Sequence, residues 1–249
     1  MAQAARGEII DFGTLRRSCA QCSLSQLCLP AGISAIDVER LDGMVRRRRP
    51  LSRGEYLYRV GSPMHALFVS REGAFKTVAL GEDGGEQVIG FHLPGELIGL
   101  DGMGDGIHRC ESVALESASV CEVPYNDLGR VAAEVPSLQS QLFRIMGRSM
   151  GRDQDHLEML GRRHAGERLA LFLHSLSERL TSLGQPGDRI HLPMSREDIA
   201  SYLGLVIETV SRTLSRMQDD GVIQVQGRRL RILDAASLQR MAHESENRR

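Results

Sequence analysis

Short apolar runs broken by glycines dominate the chain between Pro50 and Pro124. Several of these runs alternate apolar and polar residues, which is the period of a half-buried strand. Their spacing predicts a small all-β sandwich or barrel. The predicted strands are Tyr56–Tyr58, Ala66–Val69, Ala74–Leu80, Gln87–Phe91, Glu96–Gly99, Ser112–Leu115 and Val120–Val123.

Helical periods flank this β-rich stretch. Before it, Ser34 is the predicted N-cap of a helix that runs to Arg47. After Pro136, residues at alternating steps of three and four form the seam of a coiled coil. The predicted seam residues are Phe143, Met146, Met150, Asp153, Leu157 and Leu160. Asp153 would face its own copy across a parallel helix pair, and like charges taken from water repel each other.

The C-terminal part has the pattern of a winged helix-turn-helix. A helix predicted at Ala165–Leu183 precedes a capping box formed by Ser195 and Asp198. Gly204–Leu205 then makes a tight turn into a second short helix, and two short helices about a glycine turn form a helix-turn-helix. The residues from Val222 to Leu233 predict a β-hairpin, or wing, that follows it.

The second short helix carries candidate DNA-reading residues. With Val210, Leu214 and Met217 buried, Glu208, Ser211 and Arg212 share the outer face at i, i+3 and i+4. Arginine can bond guanine bidentately, glutamate can accept from cytosine, and serine can do either. The alternative is that Glu208 and Arg212 are only a surface pair that stabilises the helix.

These patterns predict an α+β fold with an N-terminal β-sandwich or β-barrel, a long helix and a C-terminal winged helix-turn-helix. The predicted divisions are a leader at 1–33, the barrel at 34–135, a dimerisation helix at 136–162 and the winged helix-turn-helix at 163–249. No apolar run approaches the roughly 18 residues of a membrane span, and the first residues lack a signal-peptide core. We therefore expect a cytoplasmic protein with no membrane contact.

The net charge of the chain does not indicate a nucleic-acid partner. The net charge is −1, and Lys76 is the only lysine among 31 basic residues. This preference for arginine weakens any argument from arginine clusters. Arg46–Arg49 is accordingly interpreted as a solvated helix end in preference to a nucleic-acid patch.

Five cysteines without an export signal predict thiols, metal ligands or redox groups rather than disulfides. Cys19, Cys22 and Cys28 lie on one short loop with the spacing of ligands. Four thiolates hold either an iron–sulfur cluster or structural zinc, and spacing alone does not choose between them. Cys110 and Cys121 compete for the fourth position.

Five motifs, spread over most of the chain, occur together in an order that is typical of one known protein family. They are Cys19-Ala-Gln-Cys22 with Cys28-Leu-Pro30, Glu86-Gln-Val-Ile-Gly-Phe-His-Leu-Pro-Gly-Glu96, Val120-Cys121-Glu122-Val123-Pro124, Gly151-Arg-Asp-Gln-Asp155 and Glu208-Thr-Val-Ser-Arg212. In these motifs the sequence resembles the fumarate and nitrate reduction regulator family, within the cyclic-AMP receptor protein superfamily.

The resemblance implies an oxygen-sensing transcription regulator whose N-terminal β-barrel is a jelly-roll sensor domain, similar to cyclic-nucleotide-binding domains. It assigns Cys19, Cys22, Cys28 and Cys121 as the ligands of an oxygen-labile [4Fe-4S] cluster, which promotes a homodimer, and leaves Cys110 as a spectator. It assigns Glu208, Ser211 and Arg212 to reading TTGAT-type half-sites in double-stranded DNA. It also implies that the loop at 82–86 contacts RNA polymerase.

Three other functions are compatible with parts of the sequence. A zinc-stabilised regulator without oxygen sensing is the most serious alternative. A cyclic-nucleotide receptor is suggested by Gly95–Glu96 and Arg109, but Leu100–Asp101 and Cys110 depart from the expected nucleotide site. An enzyme would need a catalytic group on the barrel, and the spacing of the candidates matches no motif, so we expect no catalysis. Those candidates are His65, His92, His108, Asp101 and Asp105.

Overall fold

The computed structural model describes residues 19, 22, 25, 28–47, 50–82, 84–162 and 164–243. Most of the predicted leader, residues 1–18, therefore lies outside the described residues. Cys19, Cys22 and Cys28 are within them.

The first helix, α1, spans Ala35–Met44. Ser34 caps it as predicted, because its hydroxyl accepts a hydrogen bond from the Asp37 backbone at 3.3 Å. The predicted continuation to Arg47 is wrong: the backbone becomes extended at Val45, and Arg46–Arg47 pairs with the strand that contains Cys121. The interpretation of Arg46 and Arg47 as a helix end is corrected accordingly, while Arg48 and Arg49 lie outside the described residues.

The N-terminal domain contains two antiparallel sheets of four strands each, with strand orders β1-β8-β3-β6 and β2-β7-β4-β5. The predicted strands are confirmed with shifts of at most three residues at their ends, and the short strand β1 is the one not predicted. The strands are β1 (Arg46–Arg47), β2 (Tyr56–Tyr58), β3 (Ala66–Glu72), β4 (Phe75–Leu80), β5 (Glu86–His92), β6 (Leu97–Ile98), β7 (Glu111–Ala114) and β8 (Ser119–Pro124).

Both sheets contribute to one core. Phe75 of β4 is fully buried with Phe68 of β3 and Ala114 of β7, because alternate strand residues point to the same side of a sheet. The predicted α+β fold class is confirmed. Across the described residues the two sheets remain separate in their hydrogen bonding and form a sandwich that does not close into a barrel.

Three helices follow the sandwich along the chain: α2 (Tyr125–Glu134), α3 (Pro136–Gly161) and α4 (Ala165–Ser182). The bounds of α3 agree with the long helix predicted at 136–162, and Pro136 occupies its first turn, where its missing N–H costs no hydrogen bond. Helix α2 was not predicted, although its buried residues Leu128, Val131 and Ala132 have helical spacing.

The C-terminal domain contains the two short helices α5 (Arg196–Leu203) and α6 (Ile207–Asp219). The capping box of α5 is confirmed, since Ser195 and Asp198 exchange hydrogen bonds between side chain and backbone. A three-stranded sheet with order β10-β11-β9 packs beside them, and the predicted hairpin forms two of its strands. Its strands are β9 (Arg189–His191), β10 (Ile223–Gln226) and β11 (Arg229–Ile232), and a last helix, α7 (Ala235–His243), follows.

Within the described ranges, none of the helices combines the length and the apolar character that a membrane crossing requires.

The turn between α5 and α6 depends on glycine. Gly204 has a φ of 61°, in the left-handed region, and a Cβ there would stand 3.3 Å from Leu160 Cδ2. We predict that Gly204→Ala lowers the free energy of unfolding by about 1–2 kcal/mol, because L-residues avoid the left-handed region. Thermal unfolding followed by circular dichroism measures the change.

Gly129 is the matched control, because it lies inside α2 and a Cβ there would meet no described atom within 4 Å. Gly129→Ala should raise the stability by up to about 1 kcal/mol, since alanine is the better helix former. Equal shifts in the two variants would contradict the assignment of a conformational role to Gly204.

Candidate functional site

The three-thiol loop is fastened to two helices. The backbone N–H of Cys19 donates to Asp42 Oδ1 on α1 at 2.8 Å. The carbonyl of Cys28 accepts from Gln141 Nε2 on α3 at 2.9 Å, and Gln141 is only 2% exposed. The loop position is therefore tied to the long helix. Nothing in the sequence pattern distinguishes Gln141, because a polar residue that lies outside the predicted seam of a helix is usually solvated.

The fourth cysteine comes from the sandwich. Cys121 lies in β8, opposite Arg47 of β1, and it packs with Cys28 against the same apolar cluster, which contains Leu29 and Leu41. The four half-buried thiols Cys19, Cys22, Cys28 and Cys121 thus occupy one region.

The thiols influence each other electrostatically. Burial raises the pKa of Cys19 to about 12, with further contributions from Asp42 and from the nearby thiols of Cys28 and Cys121. Burial also raises the pKa of Cys28 to about 12, and Cys121 and Cys22 add to the shift, against a hydrogen bond from the Leu29 backbone. Several thiolates crowded together repel each other, so a bound cation would stabilise their charged forms.

Cys110 is in a different place. It is buried in the core between the two sheets, where the thiol contacts Tyr58 and Asp101. Burial, followed by the charge of Asp101, raises its pKa strongly. Of the two candidates for a fourth ligand, Cys121 is the one near the loop. No three His, Cys, Asp or Glu side chains of the described residues are grouped as ligands of one metal ion would be.

A cavity of about 360 Å³ lies between the second sheet and α3. Leu100, Asp101 and Cys110, which belong to the expected nucleotide site, line it. The described lining residues include the carboxylates Asp101 and Asp153 but no lysine or arginine. Arg109 points to solvent and pairs with Asp105. Glu96 faces Arg179, with 2.7 Å between carboxylate and guanidinium. A phosphate in this cavity would therefore lack a cationic partner among the described lining residues.

Two of the candidate catalytic histidines, His108 and His92, have structural contacts. His108 stacks on Tyr58 with ring centroids 3.6 Å apart, and its Nδ1 lies 3.3 Å from Asp101. His92 Nε2 lies 2.6 Å from the Thr77 hydroxyl, and burial lowers the pKa of His92 to about 4. These histidines therefore fit a hydrogen-bonded structural role.

The predicted DNA-reading residues lie on the outer face of α6. Glu208 and Arg212 are exposed and Ser211 is half-buried, while the opposite stripe, with Val210 and Leu214, is buried. Among the contacts between described residues, no ion pair joins Glu208 to Arg212, so the surface-pair alternative receives no support.

The seam of α3 is largely uncovered. Phe143, Met150 and Leu157 are 64%, 62% and 69% exposed. Asp153 is also exposed, and Met146 and Leu160 are half-buried. Partial desolvation raises the pKa of Asp153, although Arg152 and His156 act in the opposite direction. Large apolar side chains exposed along one helix mark a surface for association.

Comparisons with known proteins agree with this arrangement. A model of the Crp-like helix-turn-helix domain matches residues 167–241, and a model of the cyclic nucleotide-binding domain matches residues 48–134. The chain is 43% identical over 220 residues to the transcriptional activator protein FnrA of Stutzerimonas stutzeri, covering 88% of this chain and 90% of the relative.

Two further similarities cover most of the chain. The fumarate and nitrate reduction regulatory protein of Escherichia coli strain K12 is 37% identical over 238 residues, which are 96% of this chain and 95% of that protein. The structure of FixK2 from Bradyrhizobium japonicum superimposes with a TM-score of 0.71 at 30% identity, covering 79% of this chain and 96% of FixK2. The relatives from Stutzerimonas stutzeri and Escherichia coli are named as a transcriptional activator and a regulatory protein, not as enzymes. The chain therefore belongs to the fumarate and nitrate reduction regulator family of DNA-binding transcriptional activators.

Proposed function

We propose that this protein is a cytoplasmic oxygen sensor that controls transcription through a [4Fe-4S] cluster on Cys19, Cys22, Cys28 and Cys121. The observation that carries the proposal is that Cys121 on β8 lies near the loop of Cys19, Cys22 and Cys28, which is tied to α1 and α3. The name of the relative from Escherichia coli, a fumarate and nitrate reduction regulatory protein, supports it.

The chemistry of the thiols fits such a cluster. Iron–sulfur clusters commonly take four cysteine thiolates, and the raised pKa values of Cys19 and Cys28 have mutual thiol repulsion among their causes. When bound, a [4Fe-4S] cluster supplies an oxygen-labile link among the four thiolates. Gln141 holds the Cys28 carbonyl and so couples the position of the loop to α3.

The long helix is the proposed dimerisation element. A second copy would cover the exposed stripe of Phe143, Met150 and Leu157. Asp153 lies in the same stripe, where its charge would meet the same charge of its copy. The helix pair is therefore marginal, and the link among the thiols stabilises it by fixing the packing at the start of α3.

In the dimer, two copies of α6 would enter successive major grooves about 34 Å apart. Arg212, Glu208 and Ser211 would read a TTGAT-type half-site of double-stranded DNA. The turn between β4 and β5, residues 82–86, is the proposed contact with RNA polymerase. Its described residues are exposed, and Asp83 lies outside the described part.

The cluster is tested by visible absorption with iron and sulfide analysis of protein isolated without oxygen. We expect iron–sulfur absorption that air bleaches, and we expect Cys121→Ser to abolish it because one of four ligands is lost. Cys110→Ser is the matched control and should keep the absorption. The reverse pattern would reassign the fourth ligand, and colourless protein containing zinc would favour the zinc-stabilised regulator.

The role of Asp153 is tested by sedimentation in air. Asp153→Ala should form a dimer without the cluster, because it removes a charge from the seam and lets apolar contacts dominate. Glu158→Ala is the control, since Glu158 lies on the same helix outside the predicted seam and pairs with Arg162. If Asp153→Ala stays as monomeric as the unaltered protein, the repulsion account is refuted.

DNA reading is tested by binding to duplexes with single-base changes in the half-site. Arg212→Ala should cost about 1–3 kcal/mol of binding free energy and relax specificity at one base pair, because a bidentate base contact is lost. Arg216→Ala serves as the control: Arg216 lies on the same helix, is exposed and faces Asp220 at 3.9 Å. Equal losses in both variants would indicate phosphate contact instead of base reading.

A further inference from the structure

The only lysine of the chain joins the two domains. Lys76 lies on β4 of the sandwich, and its Nζ donates to Asp198 Oδ1 on α5 at 2.6 Å. The two side chains are only 21% and 13% exposed, so water screens this ion pair less than a surface pair. The other carboxylate oxygen of Asp198 accepts from the Ser195 backbone at 2.8 Å. The carboxylate that caps α5 is thus the one that binds the sandwich.

A second contact lies one helical turn further along α5. The backbone N–H of Val88, on β5, donates to the Ser201 hydroxyl at 2.9 Å, and the Gln87 side-chain amide donates to the Ser201 carbonyl. Tyr202 completes the contact, since its ring lies 5.0 Å from the ring of Phe91 on β5. Asp198, Ser201 and Tyr202 have the i, i+3, i+4 spacing of one helical face.

The long helix and α4 reinforce this contact. His156 of α3 stacks on Tyr202 with ring centroids 3.8 Å apart, and its Nε2 lies 2.7 Å from the Tyr202 carbonyl. Arg179 of α4 holds Glu96 of the sandwich with two hydrogen bonds, at 3.0 and 2.7 Å. Bidentate arginine–carboxylate pairs fix orientation as well as distance.

The docked helix α5 leaves the reading face free. Its buried residues Ile199, Ala200 and Leu203 belong to a hydrophobic cluster that the C-terminal domain shares with β4 and β5. Glu208 and Arg212 on α6 stay exposed. Domains joined by a short linker move relative to each other unless their interface restrains them. Here the sandwich restrains α5, and α5 carries α6 through the Gly204 turn.

We propose that Lys76 and Asp198 form a latch that fixes the orientation of the DNA-reading helix relative to the dimerisation helix. Lys76 is a positioning residue, because it acts on DNA through α5. In a dimer, the latch gives the two copies of α6 the same fixed orientation. An operator with two half-sites is then bound without the entropy cost of ordering the two helix-turn-helix domains. The consequence for DNA rests on the proposed function, whereas the latch itself does not.

The latch is tested first without DNA, by the rate at which an amine-reactive ester modifies Lys76 in the full-length protein, read by peptide mass spectrometry. We expect slow modification in the unaltered protein and roughly tenfold faster modification in Asp198→Asn, because the amine is released. Ser195→Ala, which removes the hydroxyl of the cap but keeps the Asp198 carboxylate, is the matched control and should remain close to the unaltered protein. Equal rates in all three proteins would overturn the latch.

The second test compares operator duplexes with two half-sites and with one. Lys76→Gln should weaken binding to the two-half-site duplex roughly tenfold and leave one-half-site binding unchanged, because only the former needs a fixed orientation. Lys76→Arg, which keeps the charge, should recover most of the loss. Equal weakening on both duplexes, or none on either, would contradict the positioning role. If the unaltered protein binds neither duplex, the proposed function fails, and the modification rates still decide the latch.

Discussion

The hydrogen bond between the Gln141 side chain and the Cys28 carbonyl links the two regions on which the regulator depends. Buried polar groups need partners, and this amide has its partner on the thiol loop. This bond fixes the loop relative to the long helix, and Cys28 of the loop packs with Cys121 of β8 against the same apolar cluster. Any change that displaces the loop must break a buried hydrogen bond on α3 or move that helix.

The long helix and the sandwich in turn restrain helix α5. The long helix contacts α5 through His156 and Tyr202, and the sandwich contacts α5 through Asp198 and Ser201. Helix α5, the first helix of the helix-turn-helix, therefore contacts both the sandwich and the long helix. A helix-turn-helix attached only by a flexible linker would report nothing about the thiols, because the linker would absorb their movement.

Sequence patterns predicted most of the fold and less of its connections. Periods of two and 3.6 residues located the sandwich strands, α3 and the capped helix α5, because one face of each is buried. Arg46–Arg47 was misassigned because two arginines carry no strand period, and their pairing with β8 is a long-range contact. Spacing brought Cys19, Cys22 and Cys28 together, but only resemblance separated Cys121 from Cys110. Gln141 and the Lys76–Asp198 pair had no local signal, since each depends on residues more than 100 positions away.

The uncovered stripe on α3 has a further consequence. Where apolar side chains such as Phe143, Met150 and Leu157 find burial only against a second copy, the paired fraction depends on protomer concentration as well as on the strength of the contact. By mass action, the fraction of the protein that is dimeric then rises with its abundance. A cell that makes more of the chain shifts the threshold at which the operator is occupied, with no change in any residue.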